Sequence, residues 1–359
     1  MNIEWSAFLQ QAGAVLAVDR VSHFDRPESE LRAALSGDLR CDLSHLGLIA
    51  AAGSDNESFL QGQLTCDVRQ VTLEHSLVGA YCSPKGRALA SLRLFRCGGD
   101  LYLELPRELL KSTLERLRKY LLRAKAALED ASDTWVGIGI AGPNAATRLT
   151  EILGGVPAAV NEVVQVAASE STGITLIRLP GPTPRFELHG AMREIQTVWE
   201  ALGTAFTPVG AEPWRLLDIL AGIPTIYPET VEAFVPQMLN LQLLEGISFQ
   251  KGCYTGQEVV ARTHHLGKLK RRTYLARVDS PNPPRPGDPL FSPQTDANQS
   301  AGRLIDAARH PDGGYAVLVV ALIECAEHGV LQLGNASGPV LQLKPLPYGF
   351  EGVASGYAV

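Results

Sequence analysis

A cysteine lies in a polar, glycine-rich setting in the stretch FQKGCYTGQEVVAR (249–262). Cys253 follows Lys251 and precedes a segment with the pattern of a helix start. A positive charge and a helix N-terminus both favour the thiolate over the thiol, and the thiolate is the nucleophilic form. The stretch therefore predicts a reactive Cys253, with Lys251 as a second candidate catalytic residue.

The same stretch also has a purely structural interpretation. Thr255 and Glu258 fit the T-x-x-E capping box, which predicts a helix that begins at Gly256. Glu258 is thus either a cap or a ligand-binding residue, and the pattern leaves both open. A nucleophilic thiol needs a base, but His264 and His265 lie two to three turns along the predicted helix, too far away to serve directly.

Two further features could bind a ligand. Trp214 lies near the start of a predicted helix, where its ring could stack on a flat heterocycle or pack in the core. The run RTHHLGKLKRR (262–272) concentrates basic residues, starting with Arg262, in an otherwise acidic chain. It could hold an anionic tail, such as a polyglutamate or a phosphate, or form a solvated hinge.

Composition excludes several classes of protein. The chain has 359 residues, a formal charge of −6 and 19% charged residues. No basic field draws it to DNA or RNA, and no apolar run approaches the ~18 residues of a membrane span. The N-terminus lacks the basic region of a signal peptide, so we expect a cytoplasmic protein.

The six cysteines lack metal-binding spacing, so we expect reduced thiols and no metal site.

The hydrophobic pattern predicts an α+β fold. The segment 46–106 has the pattern of a strand, a helix, two strands and a strand, and 108–130 has the pattern of one long amphipathic helix. Two strands follow in 173–190, and then helices in 191–203 and 210–221. The connections are too short for helices between many neighbouring strands, which favours a mixed or antiparallel sheet. Beyond Thr273 the short apolar runs predict a small β-barrel or sandwich.

These elements suggest three segments along the chain. The predicted divisions are an N-terminal α/β segment (1–130), a second α/β segment (131–272) and a C-terminal β-barrel (273–359), and the first two can interleave into discontinuous domains.

The stretch FVPQMLNLQLLEGISFQKGCYTGQEVVART (234–263) closely resembles the signature of the YgfZ family, bacterial folate-binding relatives of the glycine-cleavage aminomethyltransferase (T-protein). FLQGQLTCDV (59–68), WRLLDILAGIP (214–224) and KPLPY (344–348) agree in order. The resemblance implies a T-protein-like fold, with two α/β segments and a C-terminal β-barrel around a central folate pocket.

The resemblance also implies a function. It suggests an accessory protein that binds tetrahydrofolate or a related folate. Such a protein would support the assembly or repair of iron–sulfur enzymes, among them radical enzymes that methylthiolate tRNA, so its effect on tRNA would be indirect. The implied folate-binding residues are Trp214, Tyr254, Gln257, Glu258 and Arg262. Leu46 stands where the family has a second tryptophan.

Departures from the aminomethyltransferases disfavour the same reaction here. Where those enzymes have two acidic residues, this chain has Ala90 and Ser91, and Asp218 replaces an arginine. Two alternatives remain: a folate-dependent one-carbon transferase that uses a different base, such as Glu258 or Asp67, and a protein that binds tRNA directly. The acidic net charge and the lack of an RNA-binding motif disfavour direct tRNA binding.

Overall fold

The computed structural model describes residues 1–18, 20–167, 173–265, 269–295 and 300–350. Its α-helices are α1 (Ile3–Gln11), α2 (Pro27–Ser36), α3 (Asn56–Gln61), α4 (Arg107–Arg118), α5 (Ala145–Leu153), α6 (Met192–Leu202), α7 (Ala211–Leu220), α8 (Gln257–His265) and α9 (Ile323–His328). No helix in these ranges is long and apolar enough to cross a membrane.

The strands alternate with these helices along the chain. They are β1 (Val15–Ala17), β2 (Arg20–His23), β3 (Leu39–Asp42), β4 (Leu46–Ala52), β5 (Leu77–Cys82), β6 (Ala88–Cys97), β7 (Asp100–Pro106), β8 (Ala127–Asp130), β9 (Val136–Ala141), β10 (Val163–Val166), β11 (Ile174–Leu179), β12 (Arg185–Gly190), β13 (Thr207–Val209), β14 (Arg271–Val278), β15 (Pro289–Phe291), β16 (Gly302–Arg309), β17 (Tyr315–Leu322), β18 (Gln332–Leu333) and β19 (Gln342–Lys344).

The chain forms two compact units, and both are discontinuous in sequence. The first unit comprises Met1–Leu60, Val68–Leu77 and Arg93–Leu217. The second unit comprises Gln61–Asp67, Val78–Leu92 and Asp218–Val359. The chain therefore passes from one unit to the other several times.

The first unit contains a six-stranded sheet in the order β10-β11-β12-β9-β3-β13. All its neighbours are antiparallel except β13 and β3, which are parallel. A second sheet carries β6 from Arg93 onward, then β7, β4 and β8, all antiparallel. These findings confirm the prediction of a mixed or antiparallel sheet, and the predicted helices in 191–203 and 210–221 form as α6 and α7.

The prediction of one helix over 108–130 is wrong. Helix α4 ends at Arg118, and residues 127–130 form β8, which pairs with β4 from Ile49↔Asp130 to Ala52↔Ala127. Leu122 between them has a φ of 34°, which no α-helix allows. The ladder with β4 supplies backbone hydrogen bonds from a distant part of the chain, and these override the local helical pattern.

The second unit contains the C-terminal sheet, in the order β18-β15-β16-β17-β14-β19. The apolar run 316–323 lies almost entirely in β17, as expected of a buried strand, and β17 pairs antiparallel with both β14 and β16. Val317, Val319 and Ala321 alternate along β17 and are fully buried in the core of this sheet. The prediction of a C-terminal β region is confirmed, and one short helix, α9, follows β17.

Candidate functional site

The signature segment KGCYTGQE (251–258) forms a loop and the first two residues of α8 in the second unit. The helix begins at Gln257 rather than at Gly256, because Gly256 has a φ of +84° and cannot adopt a helical conformation there. The Gln257 amide donates to the Tyr254 carbonyl oxygen at 3.2 Å, which closes the turn before the helix.

Two glycines allow this loop to pack against the segment SPKG (83–86). A Cβ atom on Gly256 would lie 2.5 Å from the Ser83 carbonyl oxygen and 2.9 Å from the Gly86 Cα atom. Gly86 also has a positive φ, of +66°, and a Cβ there would lie 2.8 Å from the Cβ of Val259. The close approach of two backbones therefore explains both glycines.

Lys251 is buried and holds the same loop from the other side. Its Nζ donates to the carbonyl oxygens of Leu64, at 2.7 Å, and Cys66, at 2.6 Å. The ammonium group also lies 5.2 Å from the centroid of the Tyr254 ring. The geometry thus gives Lys251 a structural role, and its predicted catalytic role stays a prediction.

Cys253 differs from the other cysteines in its exposure. Cys41, Cys66, Cys82 and Cys325 are buried, whereas Cys253 is exposed. Burial raises the pKa of both Cys66 and Cys82 to about 12, so these thiols stay protonated and unreactive. Accessibility therefore singles out Cys253 among the thiols of the signature region.

The other predicted site residues are spread over two elements. Tyr254 is buried, and burial raises its pKa. Gln257 is half-buried, while Glu258 and Arg262 are exposed and lie four residues apart on α8, so they share a face of the helix. These residues all belong to the second unit, where the loop and α8 bring them together.

Trp214 lies on α7 in the part that belongs to the first unit, and it is fully buried. The Arg185 guanidinium lies 4.5 Å from the centroid of its ring. A Cβ on Gly139 would lie 2.5 Å from the ring, so Gly139 leaves the space that the indole fills. The Arg185 guanidinium thus lies over the ring where a heterocycle would stack, and the predicted role of Trp214 in folate binding stays a prediction.

A buried group of ionisable residues in the first unit was missed by the sequence reasoning. Glu187 and His189 lie two residues apart on β12 and therefore share a face of the sheet, and Glu104 lies on β7. His189 Nε2 lies 3.4 Å from Glu104 Oε2, and Arg93 Nε lies 3.6 Å from Glu187 Oε2. All four side chains are buried. Charged residues inside apolar strands, as in LYLELP and RFELHG, were the available signal.

Burial sets the charge of the histidine in this cluster. Burial and the nearby Arg93 lower the pKa of His189 to about 3, so the imidazole is neutral at pH 7. His189 Nε2 has no aligned hydrogen-bond partner among the described residues. A ligand that brings N–H donors would complement this arrangement.

Aromatic rings line one side of the cluster. The rings of His189 and Phe95 stack with centroids 4.7 Å apart, and Phe95 stacks on Tyr102 at 5.3 Å. Trp135 packs against Tyr102 at 5.0 Å. Flat rings beside buried carboxylates are the two elements that a site for a planar, nitrogen-rich heterocycle requires.

A cavity of about 30 Å³ adjoins the cluster, with room for about two water molecules. Glu104, His189, Leu46, Trp5 and Trp135 are among its lining residues. Asp42 also lines it, with a pKa raised by burial and with Oδ1 accepting from Trp5 Nε1 at 2.8 Å.

The same side chains could in principle hold a metal ion. One ligand atom from each of Glu104, Glu187 and His189 lies within 4.8 Å of the others. However, the guanidinium of Arg93 already lies beside Glu187 and would repel a cation. The prediction that the protein has no metal site stays a prediction.

Comparisons with known proteins identify the family. The GCVT N-terminal domain matches residues 8–244. The tRNA-modifying protein YgfZ of Yersinia pestis (strain Pestoides F) is 34% identical over 306 residues, which cover 85% of this chain and 91% of that protein. The chain belongs to the YgfZ family. A YgfZ of Colwellia psychrerythraea is 31% identical over 307 residues, covering 86% of this chain and 92% of that protein.

The fold of this YgfZ-family chain has a solved counterpart. The crystal structure of glycine cleavage system aminomethyltransferase T from Bartonella henselae matches with a TM-score of 0.71 at 16% identity, covering 97% of each chain. The expectation of an α+β, T-protein-like fold with a C-terminal β region is therefore confirmed.

Proposed function

We propose that this chain binds a reduced folate in the first unit and acts in tRNA modification as an accessory protein in the cytoplasm. The tRNA role is supported by membership of a family whose curated members are named tRNA-modifying proteins. On this proposal the clients are iron–sulfur enzymes, such as the radical enzymes that methylthiolate tRNA. That part rests on the family resemblance.

The observation that carries the folate proposal is the buried cluster beside the cavity. The pterin ring of a folate presents an amide N–H and an exocyclic amino group on one edge, and a carboxylate accepts from such a pair of donors. Glu104 and His189 line the cavity, and both offer acceptor atoms to a ligand that donates hydrogen bonds. Trp135, which lines the cavity, supplies an aromatic surface.

Position 46 bears on the same location. The family resemblance places a second tryptophan there, and Leu46, which lines the cavity together with Glu104 and His189, lacks the ring that could stack on a pterin. The cavity is smaller than a pterin, so binding requires a shift of lining residues. Met1 and Asn2 are half-buried lining residues on the N-terminal segment and are the first candidates to move.

An aminomethyltransferase reaction is the less favoured function. Ser91, which stands where the aminomethyltransferases have an acidic residue, accepts a hydrogen bond at 2.9 Å from the Ile226 amide. The position therefore has a structural partner and no carboxylate that could serve as an acid or base. An accessory role fits these residues better.

Replacing Glu104 by glutamine tests the folate proposal. The substitution keeps the shape of the side chain but removes the carboxylate, so we expect at least a tenfold loss of affinity for tetrahydrofolate, since a hydrogen bond to a charged group is worth about 1.5–3 kcal/mol. Binding is followed by calorimetry and by the fluorescence of Trp5 and Trp135, which line the cavity.

The matched control is Glu129→Gln, on the exposed strand β8, which should bind folate as the wild type does. Thermal unfolding of each variant separates a loss of affinity from a loss of folded protein. Unchanged affinity in Glu104→Gln would remove this cavity as the folate site. The absence of any binding by the wild type would overturn the folate proposal itself.

The reactive-thiol prediction is tested in cells. In a strain that lacks its own YgfZ protein, we expect the wild-type chain to restore tRNA methylthiolation and Cys253→Ser to leave it at the level of the empty strain. The expectation follows because the exposed Cys253 is the accessible thiol of the signature region. Cys97→Ser, at a half-buried cysteine outside the signature, is the control and should restore modification. Full rescue by Cys253→Ser would contradict the prediction.

A further inference from the structure

The end of α4 and the turn that follows it form a strongly basic surface in the first unit. Between positions 111 and 125 the sequence has six basic residues and one acidic residue, Glu115, so this short segment carries +5 in a chain of net charge −6. The exposed residues that define this α4 basic surface are Arg116, Lys119, Tyr120, Leu122, Arg123 and Lys125.

Contacts on both sides hold this segment in place. Arg118 donates from Nε and from Nη2 to the Leu128 carbonyl oxygen, at 3.0 Å and 2.6 Å. The Lys125 amide donates to a carboxylate oxygen of Asp55 at 2.8 Å. The turn is therefore fixed at its two ends, while the side chains between them project outward.

Two large side chains on this surface are exposed to solvent and are not part of the core. Leu122 is 90% exposed and Tyr120 is 47% exposed. The apolar face of α4 itself is already buried, through Leu110, Leu114 and Leu117. Tyr120 and Leu122 alone do not form a membrane-binding face, because stable membrane binding needs a larger apolar face.

We propose that the α4 basic surface is a docking site for folded RNA, with tRNA as the RNA that a role in tRNA modification suggests. Exposed arginine and lysine side chains pair with phosphates, and the guanidinium group does so with two hydrogen bonds. An exposed tyrosine among them offers a face on which an unpaired base stacks. The inference rests on the proposed role in tRNA modification, and it makes the contact with tRNA direct.

The test measures the binding of labelled tRNA to the full chain by fluorescence anisotropy across a salt series. We expect the triple variant Arg116→Gln/Lys119→Gln/Arg123→Gln to bind at least tenfold more weakly. The slope of log K against log salt is negative, and its magnitude should decrease by roughly 2–3, since each of the three lost phosphate contacts contributes about 0.7–0.9. Tyr120→Ala should weaken binding about tenfold with little change in that slope. Arg118 is left intact because it holds Leu128.

The matched control removes the same charge elsewhere, with Arg32→Gln/Arg193→Gln/Arg303→Gln at exposed positions outside this surface. Equal weakening in the control would show a general charge effect and overturn the docking site. Absence of tRNA binding by the wild type would also overturn the docking site. The same conclusion would follow if the wild type bound phosphatidylserine vesicles but not tRNA, and the triple variant lost that binding to vesicles. Folate titration of each variant is independent of these outcomes, so failure of the docking site and failure of the folate proposal are distinguishable.

Discussion

Replacing Gly256 by alanine is expected to lower the free energy of unfolding by roughly 2–4 kcal/mol, the sum of a left-handed backbone and an overpacked contact. Gly256 has a φ of +84°, where an L-residue with a side chain is strained. The added Cβ would also lie 2.5 Å from the Ser83 carbonyl oxygen, a backbone atom that cannot rotate away. Both effects act on the loop that carries Cys253.

The measurement is urea unfolding followed by circular dichroism, together with thermal unfolding. The control is Gly252→Ala in the same loop, where no atom lies within 4 Å of the added Cβ and the backbone is not in the left-handed region. That variant should stay within about 0.5 kcal/mol of the wild type. Equal stability of the two alanine variants would show that the approach of Gly256 to the segment 83–86 does not hold in solution.

Replacing Lys251 by methionine is expected to lower the free energy of unfolding by roughly 2–4 kcal/mol, because a buried acceptor left unsatisfied costs about 1–3 kcal/mol. Methionine keeps the unbranched shape but removes the ammonium group that donates to the carbonyl oxygens of Leu64 and Cys66. Since Lys251 is only 6% exposed, water cannot readily replace the donor.

Chemical denaturation and the rescue of tRNA methylthiolation together separate the two roles considered for Lys251. Lys85→Met, at an exposed lysine of the second unit, is the control and should unfold as the wild type does. A Lys251→Met protein of wild-type stability that fails to restore modification would assign Lys251 to chemistry rather than to the support of the loop.

Local pattern by itself determined much of the secondary structure. The alternating apolar runs beyond 273 predicted the C-terminal sheet, and the helical spacing in 191–203 and 210–221 predicted α6 and α7. These predictions succeed because a strand or helix with one buried face places its apolar residues at a period of 2 or 3.6, and that period is visible in consecutive residues of the sequence. The motif KGCYTGQE likewise identified the family, because it is a specific run of adjacent residues.

The tertiary structure decided whatever depends on distant partners. Residues 127–130 continue a helical pattern but form β8, because β4 offers them a backbone ladder. Nothing in the sequence near Lys251 indicates that its ammonium group binds carbonyl oxygens 187 and 185 residues away.

The buried cluster shows the same limit most clearly. More than eighty positions in the sequence separate Glu104 from Glu187 and His189. Taken singly, each of these residues is only a polar residue in a strand. Only the packing of β7 and β12 brings the carboxylates and the imidazole together, and burial then keeps the imidazole neutral. The sequence determines which residues carry ionisable side chains. The fold determines which of these side chains share an environment from which water is excluded, and that environment sets their charge.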